Sequence, residues 1–239
     1  GAWLGRALGA RYSVAPVVPG RSAFWAGSFT HLFPLARNGR RHQVEANLDA
    51  LRRIGIQPPA EERRVQFVPG PAAEARVAAL LAGEGLSERG YLHMHPASRW
   101  GFKCWPAEKN AELIDRLAPR HRIVLTAAPD AEELAMVEQI VRTVRSKPLN
   151  LAGKLSIKEL GALTARARLF IGVDSMPMHL AAAMDTPTLV LFGPSGEDEW
   201  RPWRVTHRIV TSSHACRPCG NDGCGGGKVS ECLTTLAVD

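Results

Sequence analysis

An α/β fold built on a parallel sheet is what this sequence predicts, on three observations. From residue 72 onward, short apolar strand-like runs alternate with helical patterns of about ten residues, the mark of right-handed βαβ units. The stretch 169–195, LFIGVDSMPMHLAAAMDTPTLVLFGPS, reads as one such unit: buried strand, polar turn, Ala-rich helix, Thr-Pro turn, buried strand. The chain also has 239 residues, 45% of them apolar, with no apolar run long enough to span a bilayer, so it can bury one or two cores.

The elements follow in order. Residues 1–8 read as the last turns of a helix, 12–18 as a strand, and 43–54 as a helix with Val44, Leu48 and Leu51 on one face. A nucleotide-type α/β domain needs more strands than these. Residues 1–57 are therefore expected to be the C-terminal remnant of a first domain whose earlier segment lies outside this chain. Pro/Gly-rich ends at 57–59 and 68–71 mark 58–71 as a linker. The second domain, 72–239, opens with a helix at 72–81 and a strand at Tyr91–His95. A helix follows at 106–117, with Ala111, Ile114 and Leu117 inward. Next come a strand at 122–126, a helix at 131–144 with Leu134, Val137, Ile140, Val141 and Val144 inward, and a short strand at 149–151. Ser156 and Glu159 form a capping box for a helix running to residue 167. The central unit supplies the strand Leu169–Val173, the helix 176–184 and the strand 188–192. The pattern is Rossmann-like.

Charge and cysteines restrict the setting. The net charge is +7, and residues 1–70 hold ten arginines against four acids, so most of the excess lies there. Such a segment suits a phosphorylated substrate or an anionic membrane surface, or is simply a solvated face. The arginines are dispersed and accompany no nucleic-acid motif, so nucleic acid is not an expected partner. Five cysteines at this length do not make a disulfide scaffold, and a reducing, cytoplasmic compartment is expected.

In a parallel sheet the ligand lies beyond the carboxyl ends of the strands, and the loops there are polar. After the first strand comes HPASRWGFKCW, in which Ser98, Arg99 and Lys103 offer a hydroxyl and two cations, a clamp suited to a diphosphate. Asp174 and Ser175 read as N-cap residues of a helix whose first amides attract anions, and Pro177 is tolerated in its first turn. By position alone Asp174 reads as a cap before a site carboxylate, His179 as a packed histidine before a ligand, and Lys103 as a surface residue before a phosphate contact. Trp200 and Trp203 read as core closure. Neither GxGxxG nor GxxxxGK[ST] occurs, which argues against a dinucleotide oxidoreductase and a P-loop NTPase.

Three separated motifs carry a resemblance: RRHQVEANLDALRRIG, HPASRWGFKCWP, and LAGKLSIKELGALTARARLFIGVDSMPMHLAAAMDTPTLVLFGPSGEDEWRPW. In this order they resemble the ADP-heptose:lipopolysaccharide heptosyltransferases, glycosyltransferase family 9, and within it the heptosyltransferase III-like branch. The resemblance covers nearly all of the chain. It implies a GT-B enzyme with two Rossmann-like domains, the C-terminal one binding the sugar nucleotide, that transfers heptose with inversion from ADP-heptose to the lipopolysaccharide inner core. It implies a cytoplasmic protein, peripheral at the inner membrane, that needs no cofactor beyond its donor substrate.

Residue by residue, Ser98 and Lys103 resemble the family's diphosphate contacts, with Lys103 stabilising the leaving group and Arg99 beside them. Leu155 resembles the apolar residue beside adenine, and Asp130 or Glu132 falls near the acidic donor contact. Asp174, Ser175 and Met176 resemble the loop that meets the donor's sugar and phosphates, and His179 the histidine one turn later. The chain departs from the family at the helix start, where Ser-Met-Pro-Met stands in place of Thr-Gly-Leu-Ser. The family's general base, an aspartate early in the first domain, is expected to lie outside this chain. The alternatives are a non-catalytic sugar-nucleotide-binding fragment or a GT-B nucleotide-sugar epimerase.

The last motif is Cys216-x2-Cys219-x4-Cys224-x7-Cys232, with His214 nearby. Four thiols so close can hold zinc or an iron–sulfur cluster. The spacing is not that of a paired zinc ribbon, and free thiols or a disulfide formed on isolation are the expected state.

Overall fold

A computed structural model describes residues 1–35 and 41–238. The chain divides into two compact units, Gly1–Arg64 and Val65–Asp239. No helix of the described residues is long and apolar enough to cross a membrane.

The first unit holds helices α1 (Ala2–Ala7), α2 (Ala23–Ala26) and α3 (Gln43–Arg52) and strands β1 (Val14–Pro16) and β2 (His31–Phe33). The two strands pair in parallel, Val14 opposite His31 and Pro16 opposite Phe33. The strand expected over 12–18 is thus only three residues long, and β2 was not expected. The apolar face expected on α3 is not a core face either: the helix buries no residue, and Leu51 is exposed. Val44 and Leu48 are half-buried, and ion pairs flank them. Arg41 meets Asp49 at 2.5 Å, Arg52 meets both Glu45 and Asp49, and Arg63 meets Glu45 at 3.2 Å. His42 caps the helix, its ring accepting the Val44 N–H.

The second unit is a six-stranded, wholly parallel sheet. Its elements are α4 (Pro71–Gly83), β3 (Tyr91–His95), α5 (Ala107–Leu117), β4 (Arg122–Leu125), α6 (Ala131–Thr143), β5 (Leu149–Asn150), α7 (Ile157–Ala165), β6 (Leu169–Val173), α8 (Met176–Ala183), β7 (Thr188–Leu191), α9 (Glu197–Trp200), β8 (His207–Val210) and α10 (Glu231–Thr234). The spatial order is β5-β4-β3-β6-β7-β8. The chain winds outward from β3 to one edge, returns to β6 beside β3, and winds to the other edge. The order therefore reverses between β3 and β6, where loops leaving the two strands part and open a crevice.

Both faces of the sheet are covered, as a parallel sheet requires. On one face Leu92, Met94, Ile123 and Leu125 pack against Ala111 and Ile114 of α5 and Val137 and Ile140 of α6. On the other, Tyr91 and Val124 pack against Val77 and Leu81 of α4 and Leu163 of α7, and Phe170 and Val190 against Met178 and Ala181 of α8. Burying each large apolar side chain contributes about 1.5–3 kcal/mol.

The helix α6 differs from expectation. Its buried positions are Glu133, Val137 and Ile140, a four-then-three spacing that carries Val141 off the face, where it is 37% exposed. The expected capping box of α7 is formed: Ser156 Oγ accepts the Glu159 N–H and Glu159 Oε2 accepts the Ser156 N–H. The edge strand β8, half polar in sequence, extends the sheet beyond the last strand expected, pairing with β7 from His207 opposite Thr188 to Val210 opposite Leu191.

Candidate functional site

A cleft of about 750 Å³ opens at the carboxyl edge of the second unit's sheet, over the reversal point. Ser98, Arg99, Lys103, Asp130, Leu155, Asp174, Ser175, Met176 and His179 all line it. Glu132 does not: it lines a separate cavity of about 280 Å³.

Lys103 sits at the end of a short 3-10 turn, Gly101–Lys103, after β3, and Asp174 directly follows β6. Lys103 Nζ donates to Asp174 Oδ2 at 2.7 Å, with the carboxylate side chain 5% exposed and the lysine 23%. Asp174 is therefore not a helix cap: it anchors the cation of the opposite loop. Ser175 is the N-cap residue of α8, yet its side chain makes no cap bond, and its hydroxyl donates to the Val173 carbonyl at 3.4 Å. The amides of the helix start are also fewer than a free turn would offer. Pro177 has no N–H, and the Met178 N–H is bonded to the Ser175 carbonyl at 3.1 Å. Of the first three helical positions, Met176 retains an amide to offer a ligand.

Ser98 is buried, and its oxygen accepts the Trp100 N–H at 3.3 Å, which leaves the hydroxyl proton to donate. Arg99 is exposed, its guanidinium 5.7 Å from the centre of the Trp100 ring. Leu155, Ile157 and Leu160 form an apolar wall. Asp130, expected as an acidic ligand contact, is the N-cap of α6: its Oδ1 accepts the amides of Glu132 and Glu133.

Glu133 and His95 were missed in sequence, and both line the cleft although they are nearly buried. Glu133 Oε2 accepts the Ala128 N–H at 2.9 Å and lies 3.6 Å from His95 Nε2. The His95 ring and the Ala128 amide hold this carboxyl below its ordinary range, against the upward push of burial.

Behind this pair runs a buried polar chain. Thr164 Oγ1 donates to the Leu160 carbonyl at 2.6 Å and so accepts from His93 Nδ1 at 3.1 Å. Burial holds His93 neutral, its pKa pushed down to about 3, so its bare Nε2 accepts from the Thr126 hydroxyl at 2.7 Å. The Thr126 oxygen in turn accepts from His95 Nδ1 at 2.8 Å. Each partner has only one role left to it, and the chain ends with His95 Nε2 turned toward Glu133. The signal was the alternation His93-x-His95 on one strand, with one hydroxyl on each flanking element.

Trp200, read as core closure, is 39% exposed and lines the cleft, its ring 6.2 Å from that of His179. The five cysteines are free thiols: Cys216, Cys219 and Cys224 are exposed, Cys104 is partly buried and Cys232 buried. Among the described residues no three His, Cys, Asp or Glu side chains stand in a metal-holding group.

Comparison with known proteins gives a consistent grouping. The sequence profile of glycosyltransferase family 9 (heptosyltransferase) matches residues 2–229. A lipopolysaccharide heptosyltransferase 3 of Escherichia coli is 40% identical over 201 residues, which is 83% of this chain and 57% of that protein. The chain thus spans little more than half the length of this curated relative. Among solved structures, a family 9 glycosyl transferase from Veillonella parvula DSM 2008 superposes with a TM-score of 0.77 at 21% identity, over 87% of this chain and 58% of that one. The E. coli ADP-heptose lps heptosyltransferase II superposes with a TM-score of 0.74 at 20% identity, over 99% of this chain and 69% of that one. The two superpositions show a shared fold.

Proposed function

Since this chain belongs to glycosyltransferase family 9, we propose that its cleft binds ADP-heptose and that it carries the donor side of heptose transfer, with inversion, to the lipopolysaccharide inner core. The observation that carries the reading is the Lys103–Asp174 pair, set at the strand-order reversal in a cleft that has an apolar wall on one side and hydroxyl and amide donors on the other.

Chemically, loss of the glycosidic bond leaves growing negative charge on the departing diphosphate. A fixed ammonium, a hydroxyl proton and a helix-start amide stabilise that charge without having to reorganise. Lys103 supplies the first, held in place by Asp174; Ser98 the second; Met176 the third. Leu155 and Leu160 take the adenine face. Glu132 lies outside the cleft, and Glu133, which lines it together with Asp130, takes the ribose hydroxyls. Arg99, at the exposed rim, adds a second cation. The acceptor lies beyond this cleft, and the basic first segment suits either its phosphates or the membrane surface beside it.

Calorimetry with ADP-heptose, ADP and a UDP-sugar tests this reading. ADP and ADP-heptose should bind and the UDP-sugar should not. Binding of the UDP-sugar as tight as that of ADP-heptose overturns it.

A further inference from the structure

Glu133 stands on the wall between two cavities. It lines the cleft and also the separate cavity of about 280 Å³ that holds Glu132, Cys104 and Met136. A long, rotatable side chain at such a wall can serve either side, so its usefulness to the cleft depends on what fixes it. Two contacts do so, and both fall on one oxygen: Oε2 accepts the Ala128 N–H at 2.9 Å and lies 3.6 Å from His95 Nε2. His95 and Ala128 line the cleft and not the second cavity. The carboxylate is thus drawn to the cleft side, and among the described residues Oε1 is left to accept from a ligand.

The ring that makes this contact is itself fixed. His93 and His95 lie two residues apart on β3 and share one face of the strand. Thr126, directly after β4, reaches both of them, at 2.7 and 2.8 Å. Phe170 packs edge-on against His93, ring centres 5.1 Å apart. The order of donors that starts at the Leu160 carbonyl places a proton on His95 Nδ1 for its bond to Thr126. Turning the ring over would set carbon against the Thr126 oxygen and break that bond, so Nε2 is kept facing Glu133.

Thr164, His93, Thr126 and His95 are all buried, and a buried polar network holds together only when every member is satisfied. Its last nitrogen finds its partner at the wall of the cleft rather than in the core. We infer that His95 is a positioning residue, which holds the Glu133 carboxylate on the cleft side so that it meets the ribose hydroxyls of the donor. The inference rests on the sugar-nucleotide reading of the cleft. A carboxylate fixed before the ligand arrives loses little torsional freedom on binding, so its charge-assisted bonds to a hydroxyl keep their full strength.

Calorimetry with ADP and with 2′,3′-dideoxy-ADP, which lacks both ribose hydroxyls, tests this on the wild type, His95→Asn and His95→Gln, with circular dichroism melting of each variant as a folding check. Asparagine sets its amide nitrogen where Nδ1 stood, keeping the Thr126 bond and losing Glu133. Glutamine reaches to where Nε2 stood, keeping Glu133 and losing Thr126. The wild type should prefer ADP at least about tenfold. In His95→Asn the preference should fall to about threefold or less, and His95→Gln should retain most of it. A histidine that serves only stability predicts the reverse order, because asparagine preserves the network. A full preference in folded His95→Asn overturns the positioning role and leaves the donor reading standing. Should His95→Asn not fold, His95→Gln decides alone: a retained preference supports the role and a lost one overturns it. A wild type that binds both nucleotides equally well overturns the ribose contact and the inference with it, and one that binds neither overturns the donor reading too.

Discussion

Lys103 and Asp174 are 71 residues apart in the chain and meet at 2.7 Å across the junction of β3 and β6. The pair joins the two loops that form the cleft, and it fixes the ammonium where the proposed leaving group departs.

Lys103→Met should weaken ADP binding at least about tenfold, because a charge-assisted contact contributes roughly 1.5–3 kcal/mol and each 1.4 kcal/mol is tenfold. Asp174→Asn removes a carboxylate beside the diphosphate and should retain ADP affinity. Calorimetry of both variants checks this, and unchanged ADP binding by Lys103→Met removes that residue from the site.

His93 makes stability depend on pH. Its pKa is about 3 when folded against an ordinary 6.5, so the unfolded chain binds the extra proton between these values. The contribution is complete above pH 6.5 and is lost on acidification toward pH 3, at about 1.4 kcal/mol per pH unit. Urea midpoints should fall accordingly from pH 7 to pH 4.5. In His93→Gln this component should be absent, and equal slopes for the two proteins would contradict the assignment.

At Gly172, opposite His95 in the β3–β6 ladder, a methyl group would lie 2.7 Å from the Phe170 ring and 3.0 Å from the His95 carbonyl. Gly172→Ala should cost about 1–3 kcal/mol of stability through overpacking. It should also weaken ADP binding, because it spreads the strands at the cleft. Chemical denaturation with parallel calorimetry measures both effects.

Thiol reactivity should divide the cysteines. Burial pushes Cys104 up to about 11, and burial likewise raises Cys232, whereas Cys216, Cys219 and Cys224 are exposed. A short iodoacetamide pulse at pH 8, read by mass spectrometry, should label the three exposed thiols and spare the other two. Early labelling of Cys104 would contradict its burial.

Features written in local sequence were legible. The Ser156–Glu159 capping box follows from a three-residue spacing, and the bounds of Tyr91–His95 and Leu169–Val173 from short apolar runs. The gathering of Ser98, Lys103, Asp174 and His179 at one sheet edge followed from the βαβ rule. Partnerships were not legible, because strand order and helix register decide them. Asp174 looked like a cap until β6 was set beside β3. Glu133 went unread beside Asp130 until the start of α6 turned it inward, and Glu132 falls in a separate cavity. The strand β8 escaped notice because an edge strand needs only a half-apolar pattern, and the apolar face of α3 is only half-buried.

The chain of bonds from Leu160 to His95 also bears on how this sequence can vary. A carbonyl that only accepts stands at one end, so every hydroxyl and imidazole after it has a single allowed direction. Replacing Thr126 alone by valine would remove two bonds and strand both histidines. Replacing His93 alone would leave Thr126 and Thr164 without their partner. Thr164, His93, Thr126 and His95 therefore behave as one heritable unit spread over α7, β3 and the residue that follows β4. Their substitutions should be strongly non-additive in double-mutant cycles, and a viable homologue should keep the set or exchange it as a whole.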